Sequence, residues 1–152
     1  MSFRSAIFGT TSLVLLASSA SADVSAKEIW SDWKAYMTGF GYAVEAQEAM
    51  SGNTLQVTDL KMSVPMPEAT GSFDIVLEQV DFIENGDGTV NMVFPNTMPM
   101  NFVGQGPKGE DVSGSLVYTM QNMTMRASGD PAKIVYDYAA DQIGVSLDGL
   151  TL

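Results

Sequence analysis

The chain has 152 residues, no cysteine and no histidine, with 18 acidic residues against seven basic ones and a formal net charge of −11. That balance repels nucleic acid and anionic lipid headgroups. The missing thiols and imidazoles exclude disulfide staples, cysteine nucleophiles, histidine-based triads and conventional zinc sites.

The first residues, MSFRSAIFGTTSLVLLASSASADV, have a basic Arg4, a mostly apolar run from Ala6 to Ala17 and the small residues Ala20-Ser21-Ala22 before Asp23. This predicts a signal peptide over residues 1–22, cleaved after Ala22, and hence a periplasmic or secreted product. The apolar run is shorter than the roughly 20 residues that span a bilayer. Without cysteine there is no lipoprotein anchor, and no later stretch is apolar enough to span. Cleavage of 22 residues from 152 leaves 130, enough for one domain, and the loss of Arg4 leaves six basic residues against 18 acidic, a net charge near −12.

Ser25-Ala26-Lys27-Glu28 reads as a capping box that starts a helix. Behind it Ile29, Trp30, Trp33, Tyr36, Met37 and Phe40 recur at three- and four-residue steps, and Gly39 and Gly41 offer C-terminal stops. The aromatic face is expected to seal one end of a sheet or, alternatively, to line a ligand face. From Tyr42 the period changes to two, through Val44 and Ala46 to the turn residues Ser51-Gly52-Asn53. Asn85-Gly86-Asp87-Gly88 predicts a hairpin tip, since it lacks the alternating acids and terminal glutamate of a calcium loop. Residues 95–114 contain three prolines and four glycines and read as the longest loop or edge segment, with its tip at Pro107-Lys108-Gly109-Glu110. Alternation resumes from Tyr118 to Met125, turns at Ser128-Gly129-Asp130-Pro131, continues through Ile134, Tyr136 and Tyr138, and is expected to turn in a last hairpin near Ala140-Asp141.

One spacing recurs, apolar-x-apolar-x-x-apolar-x-apolar, at 55/57/60/62 (LQVTDLKM), 75/77/80/82 (IVLEQVDF), 118/120/123/125 (YTMQNMTM) and 145/147/150/152 (VSLDGLTL). With polar or glycine residues required between, chance predicts roughly half an occurrence per chain. Three copies comply and the second fails only at Val76. Strict alternation would split each apolar set between two faces. A β-bulge at Thr58-Asp59, Glu78-Gln79, Gln121-Asn122 and Asp148-Gly149 would return all four apolar side chains to one face. The expected fold is therefore α+β and mainly β, an N-terminal helix packed on a curved, bulged antiparallel meander, in one domain over residues 23–152. The fourth copy ends on the final residue, so the chain is expected to be the N-terminal part of a longer domain.

The signal peptide, the helix EIWSDWKAYMTGFGY, NTLQVTDLKM and AKIVYDYAADQIGVSLDGL together resemble a family of secreted alphaproteobacterial proteins, domain of unknown function 2125. The resemblance spans the mature chain, implies longer proteins and supplies no catalytic residues. More distantly, the helix followed by a G-x-x-L-x-V-x-D-L strand, Gly52 to Leu60, is similar to the start of envelope proteins with lipid-handling β-grooves.

The acids Glu78, Asp81 and Glu84, and Asp137, Asp141 and Asp148, alternate outward on predicted strands and read as solvated charge. A carboxylate-based hydrolase needs two of them across a cleft. No nucleophile elbow, phosphate-binding glycine loop or basic stripe is present, and no cofactor or metal is expected. Ten methionines remain after cleavage, and flexible thioethers adapt to irregular apolar partners. The candidate apolar ligand face is Trp30, Trp33, Met62, Met92, Met120, Met123 and Met125. The leading expectation is a non-catalytic periplasmic module that binds or chaperones a lipid or another apolar envelope component. A structural or protein-interaction domain without a small ligand is the alternative, and a carboxylate hydrolase the third.

Overall fold

A computed structural model describes residues 23–65, 71–105 and 108–151. The expected signal peptide lies outside the described residues. Helix α1 (Ala26–Gly39) begins at the capping box: Ser25 is extended (φ −102°), its hydroxyl accepts from the Glu28 N–H, and Glu28 accepts from the Ser25 N–H at 2.9 Å. A third acceptor comes from far along the chain, because Glu84 Oε1 takes the Ala26 N–H at 2.9 Å. Three of the four unsatisfied donors at a helix start are thus accounted for near Ser25. The helix ends in a Schellman motif. The Tyr42 N–H donates to Met37 O, the Gly41 N–H donates to Thr38 O, and Gly41 adopts the left-handed φ of 87° that the motif requires.

Nine strands follow, all paired antiparallel: β1 (Ala43–Ser51), β2 (Thr54–Pro65), β3 (Ser72–Glu84), β4 (Val90–Val93), β5 (Thr97–Gln105), β6 (Asp111–Gln121), β7 (Thr124–Asp130), β8 (Lys133–Ala139) and β9 (Gln142–Thr151). The first three form a meander. Strand β3 pairs with β2 along one edge, and its other edge is shared between β5, at Ser72–Ile75, and β4, at Asp81–Glu84. From β3 the sheet therefore continues as two arms, β4-β7-β8 and β5-β6-β9.

Each of the later runs of chain serves both arms. Strands β4 and β5 are separated only by residues 94–96, β6 and β7 by 122–123, and β8 and β9 by 140–141. The first three strands carry their irregularities in the same zone. On β2 the residues Asp59 and Leu60 face the single Ala46 of β1, so the register shifts by one there, and Asp59 has φ 51°. Against β3 the count is unbroken, because Glu78 stands opposite Asp59 where neither forms a pair. Asn122, at the break between β6 and β7, has φ 50°. On β9 the extra residue is Asp148, since Ser115 pairs with Gly149 and Leu116 with Leu147. Register shifts thus occur at two of the four expected positions, on β2 and β9, whereas β3 keeps step at Glu78-Gln79 and the chain leaves β6 at Gln121-Asn122. Leu55, Val57 and Leu60, like Leu77, Val80 and Phe82, are buried together despite the odd step between them.

Three expectations are corrected. Residues 97–105 and 111–114 are not a loop or edge, because β5 pairs with β6 along its whole length and with β3 at residues 100–103, while residues 108–110 lie in the turn between them. Pro99 pairs with Val117 of β6 and makes no pair to β3, so it stands where the sheet divides and only one neighbouring strand is present to need its N–H. No hairpin forms at Ala140-Asp141. Strand β8 pairs with β7 and β9 pairs with β6, so the chain passes from one arm to the other. The β7–β8 turn is Pro131-Ala132, where the Ala132 N–H donates to Asp130 Oδ1 at 2.9 Å, so Ser128 to Asp130 are paired strand residues. The β1–β2 turn at Gly52-Asn53 and the β3–β4 hairpin tip at residues 85–88 form where expected.

The buried cluster unites Ile29 and Trp30 of α1 with Leu55, Val57 and Leu60, Leu77, Val80 and Phe82, Val90 and Met92, and Ala127. Trp30 meets Phe82 at 5.9 Å between ring centroids, and Trp33 meets Phe82 edge-on at 5.5 Å. Such pairs contribute roughly 0.5–1.5 kcal/mol beyond the area they bury.

Candidate functional site: an apolar sheet arm beside the helix

Directly paired residues share a face of a sheet, so register decides which side chains lie together. Across β2, β3, β5, β6 and β9 one row reads Met62, Ile75, Met100, Leu116 and Leu147. The next reads Val64, Phe73, Phe102, Gly114 and Leu150. Beyond the first row lie Met98, Tyr118 and Val145, then Met120 and Ile143. Apart from Gly114, every member is apolar or aromatic. The neighbouring row on the opposite face reads Ser63, Asp74, Asn101, Ser115 and Gly149, with the Ser63 hydroxyl donating to Asp74.

The gap left by Gly114 is filled from next door. A Cβ there would lie 2.3 Å from Phe102 Cζ, so the phenyl ring covers the glycine.

This arm shares its face with the core, because Met62 and Met98 both pack against the buried cluster. The degree of cover differs between the arms. Where α1 lies on the sheet, Val80, Phe82 and Val90 have no exposed surface, whereas Ile143, Val145, Leu147 and Leu150 on β9 are each more than half exposed. Five strands at about 4.8 Å spacing, with rows about 7 Å apart, make this floor roughly 400 Å². Contiguous apolar patches of a few hundred Å² mark interaction or ligand surfaces.

A second apolar recess, of about 370 Å³, lies between α1 and the other arm, lined by Asp32, Trp33, Tyr36, Met37, Met125 and Tyr136. Trp33 stacks on Phe94 at 5.6 Å and meets Tyr136 at 6.4 Å. The Tyr136 hydroxyl donates to Asp32 Oδ2 at 2.9 Å. Burial, then the Asp32 carboxylate, pushes the phenol well above its ordinary value of 10, so this pair is a neutral donor on an acceptor and tethers the helix to β8. On the helix's other side Lys34 binds Glu48 at 2.6 Å and stands 5.2 Å from the Trp30 ring centroid. Lys34, then the Trp30 indole, holds Glu48 below the usual carboxylate range. The indole N–H nevertheless lacks a partner in full hydrogen-bonding geometry, so the ion pair rather than this donor anchors the glutamate.

The seven side chains singled out in the sequence are not brought to one surface. Trp30 and Met92 are closed inside the core and Met120 is 4% exposed, so these three offer a guest almost nothing. Trp33 and Met125 line the recess by the helix, and Met62 belongs to the apolar floor. Met123 lines a separate recess of about 410 Å³ with Asn91, Val93, Asp137 and Tyr138. The floor residues that the reading missed, Met98, Met100 and Phe102, alternate with Pro99, Asn101 and Val103. Their period of two was the available signal, masked by the prolines and glycines around it.

Five carboxylates serve the scaffold. Glu84 caps α1, Asp81 accepts from Gln79 at 2.7 Å, Asp59 from Gln47 at 3.0 Å and Asp141 from Asn122 at 2.7 Å. Asp87 takes Arg126 at 2.8 Å and ties the hairpin tip to β7. Among the described residues no three acidic side chains form a group that could hold a metal ion, and no helix is long and apolar enough to cross a membrane. Comparison with protein-family models, curated proteins and solved structures returned no match.

Proposed function

We propose that this chain is a non-catalytic exported module that holds an apolar envelope component, an acyl chain, against the β5-β6-β9 arm. The observation that carries the reading is the set of apolar rows across five strands, broken only at Gly114, part-buried on β5 and β6 and more than half exposed on β9. In this reading the sheet curves along the zone of bulges and breaks, with the apolar rows on the inside. Bulges sharpen local twist and bend a strand, which supports curvature in that zone. Methionines at Met62, Met98 and Met100 add side chains that adapt to a guest without fixed shape. Of the six acids considered for a hydrolase, Glu84, Asp81 and Asp141 are already engaged with the scaffold, which favours the non-catalytic reading.

Mature protein stripped of lipid and titrated with monopalmitoylglycerol, an uncharged single-chain lipid, tests this, with native mass spectrometry for stoichiometry. A dissociable 1:1 adduct, weakened at least tenfold by Leu116→Glu, is expected. Absence of an adduct, or equal binding by the variant, would overturn the proposal.

A further inference from the structure

Copies one and two of the repeat lie side by side in β2 and β3, antiparallel, with Leu55 facing Phe82, Val57 facing Val80, Leu60 facing Leu77 and Met62 facing Ile75. Asp59 and Glu78 stand opposite each other where neither forms a pair, and the pairing stays in step although β2 is bulged against β1. Strand β9 repeats half of this arrangement. It carries copy four, is bulged by Asp148 against β6, and its other edge pairs with no described strand. The free edge of β9 therefore stands where β3 stands on β2.

That edge is lightly protected. Natural edge strands are blocked by lysine, proline, charges, shortness or a bulge that twists the edge away, and of these β9 has the bulge at Asp148 and its one charge. Edge strand β1 carries Glu45 and Glu48, and edge strand β8 carries Lys133 and Asp137. Strand β9 runs for ten residues, Gln142–Thr151, with Asp148 as its sole charge, and Val145, Leu147 and Leu150 are more than half exposed on one face.

We infer that β9 pairs antiparallel with β9 of a second copy of this chain, in the register that β2 and β3 use. The twofold axis then passes between Asp148 and Gly149. Leu147 of each copy faces Leu150 of the other, and Ser146 faces Thr151. The pattern is self-complementary in charge as well as in apolar spacing, since Asp148 opposes a glycine instead of another acid. The two apolar floors become one. This pairing goes beyond the proposed function and does not depend on an acyl guest.

The test uses lipid-free mature protein with single cysteines placed in a chain that has none. Leu147→Cys and Leu150→Cys alter exposed positions, and far-UV circular dichroism checks that each variant folds. Light scattering should give twice the chain mass. Oxidation should crosslink an equal mixture of the two variants at least tenfold more than either alone, because only the mixed pair faces across the axis. Leu147→Lys should leave a monomer. A monomeric parent, a monomer holding one foreign strand, or crosslinking as strong in either single variant as in the mixture would overturn the inference.

Discussion

Asp59 and Asn122 hold the same backbone conformation, φ 51° and 50°, and both occupy the fifth position of the recurring eight-residue pattern. Among the described residues they are the only non-glycine positions in the left-handed region. An L-residue there loses roughly 1–2 kcal/mol, least for Asp and Asn, whose short polar side chains bond locally. The pattern thus places an affordable residue where the strand must gain one.

Asp59→Val and Asn122→Val should each destabilise the fold by about 1–2 kcal/mol, read as a lower urea midpoint at unchanged slope. Asp59→Gly should fall within about 0.5 kcal/mol of the parent, relief of φ offsetting the lost bond from Gln47. Equal losses for valine and glycine would show that φ is not the cause.

The two arms should differ in their response to truncation. Trp30 is 1% exposed within the core, and Trp30→Ala should cost about 3–5 kcal/mol, a large share of a domain's stability. Leu147, 58% exposed on β9, should lose less than about 0.5 kcal/mol as alanine when measured in dilute monomer. Melting curves on both variants separate a closed core from an open arm.

Pro99 should be replaceable. Pro99→Ala restores an N–H where β5 makes no pair to β3, and its stability should stay within about 0.5 kcal/mol. Met100, one residue on, pairs with both Ile75 and Leu116, so Met100→Pro should cost far more and broaden the unfolding transition.

Acid and alkali should loosen the helix by different groups. Glu28, lowered by its bonds with Ser25, and Glu48, lowered chiefly by Lys34, sit below the ordinary glutamate value of 4.5. Their contribution is present above the unfolded value and disappears as pH falls through the folded one, and Glu48→Gln should flatten that acid limb. Tyr136 is shifted the other way by burial and Asp32. Its contribution is complete below pH 10, the ordinary value, and diminishes above it as the unfolded chain ionises first. Tyr136→Phe should remove the alkaline loss, measured by urea midpoints from pH 8 to 11.

The capping box, the glycine stop, the hairpin at Asn85 to Gly88 and the bulges of β2 and β9 were legible because each depends on a few neighbouring residues whose backbone preferences or side-chain bonds act locally. The Met/Pro segment was misread for a related reason: proline forbids a central strand only if its N–H is needed, and that depends on where the sheet divides. The path from β8 to β9 was beyond local reading, since a two-residue break permits either a hairpin or a step between arms. By itself the sequence determined a capped aromatic helix and bulged apolar strands. Tertiary structure alone decided that the same apolar repeat is buried on β2 and exposed on β9, because cover is a property of what packs opposite a face and not of the face.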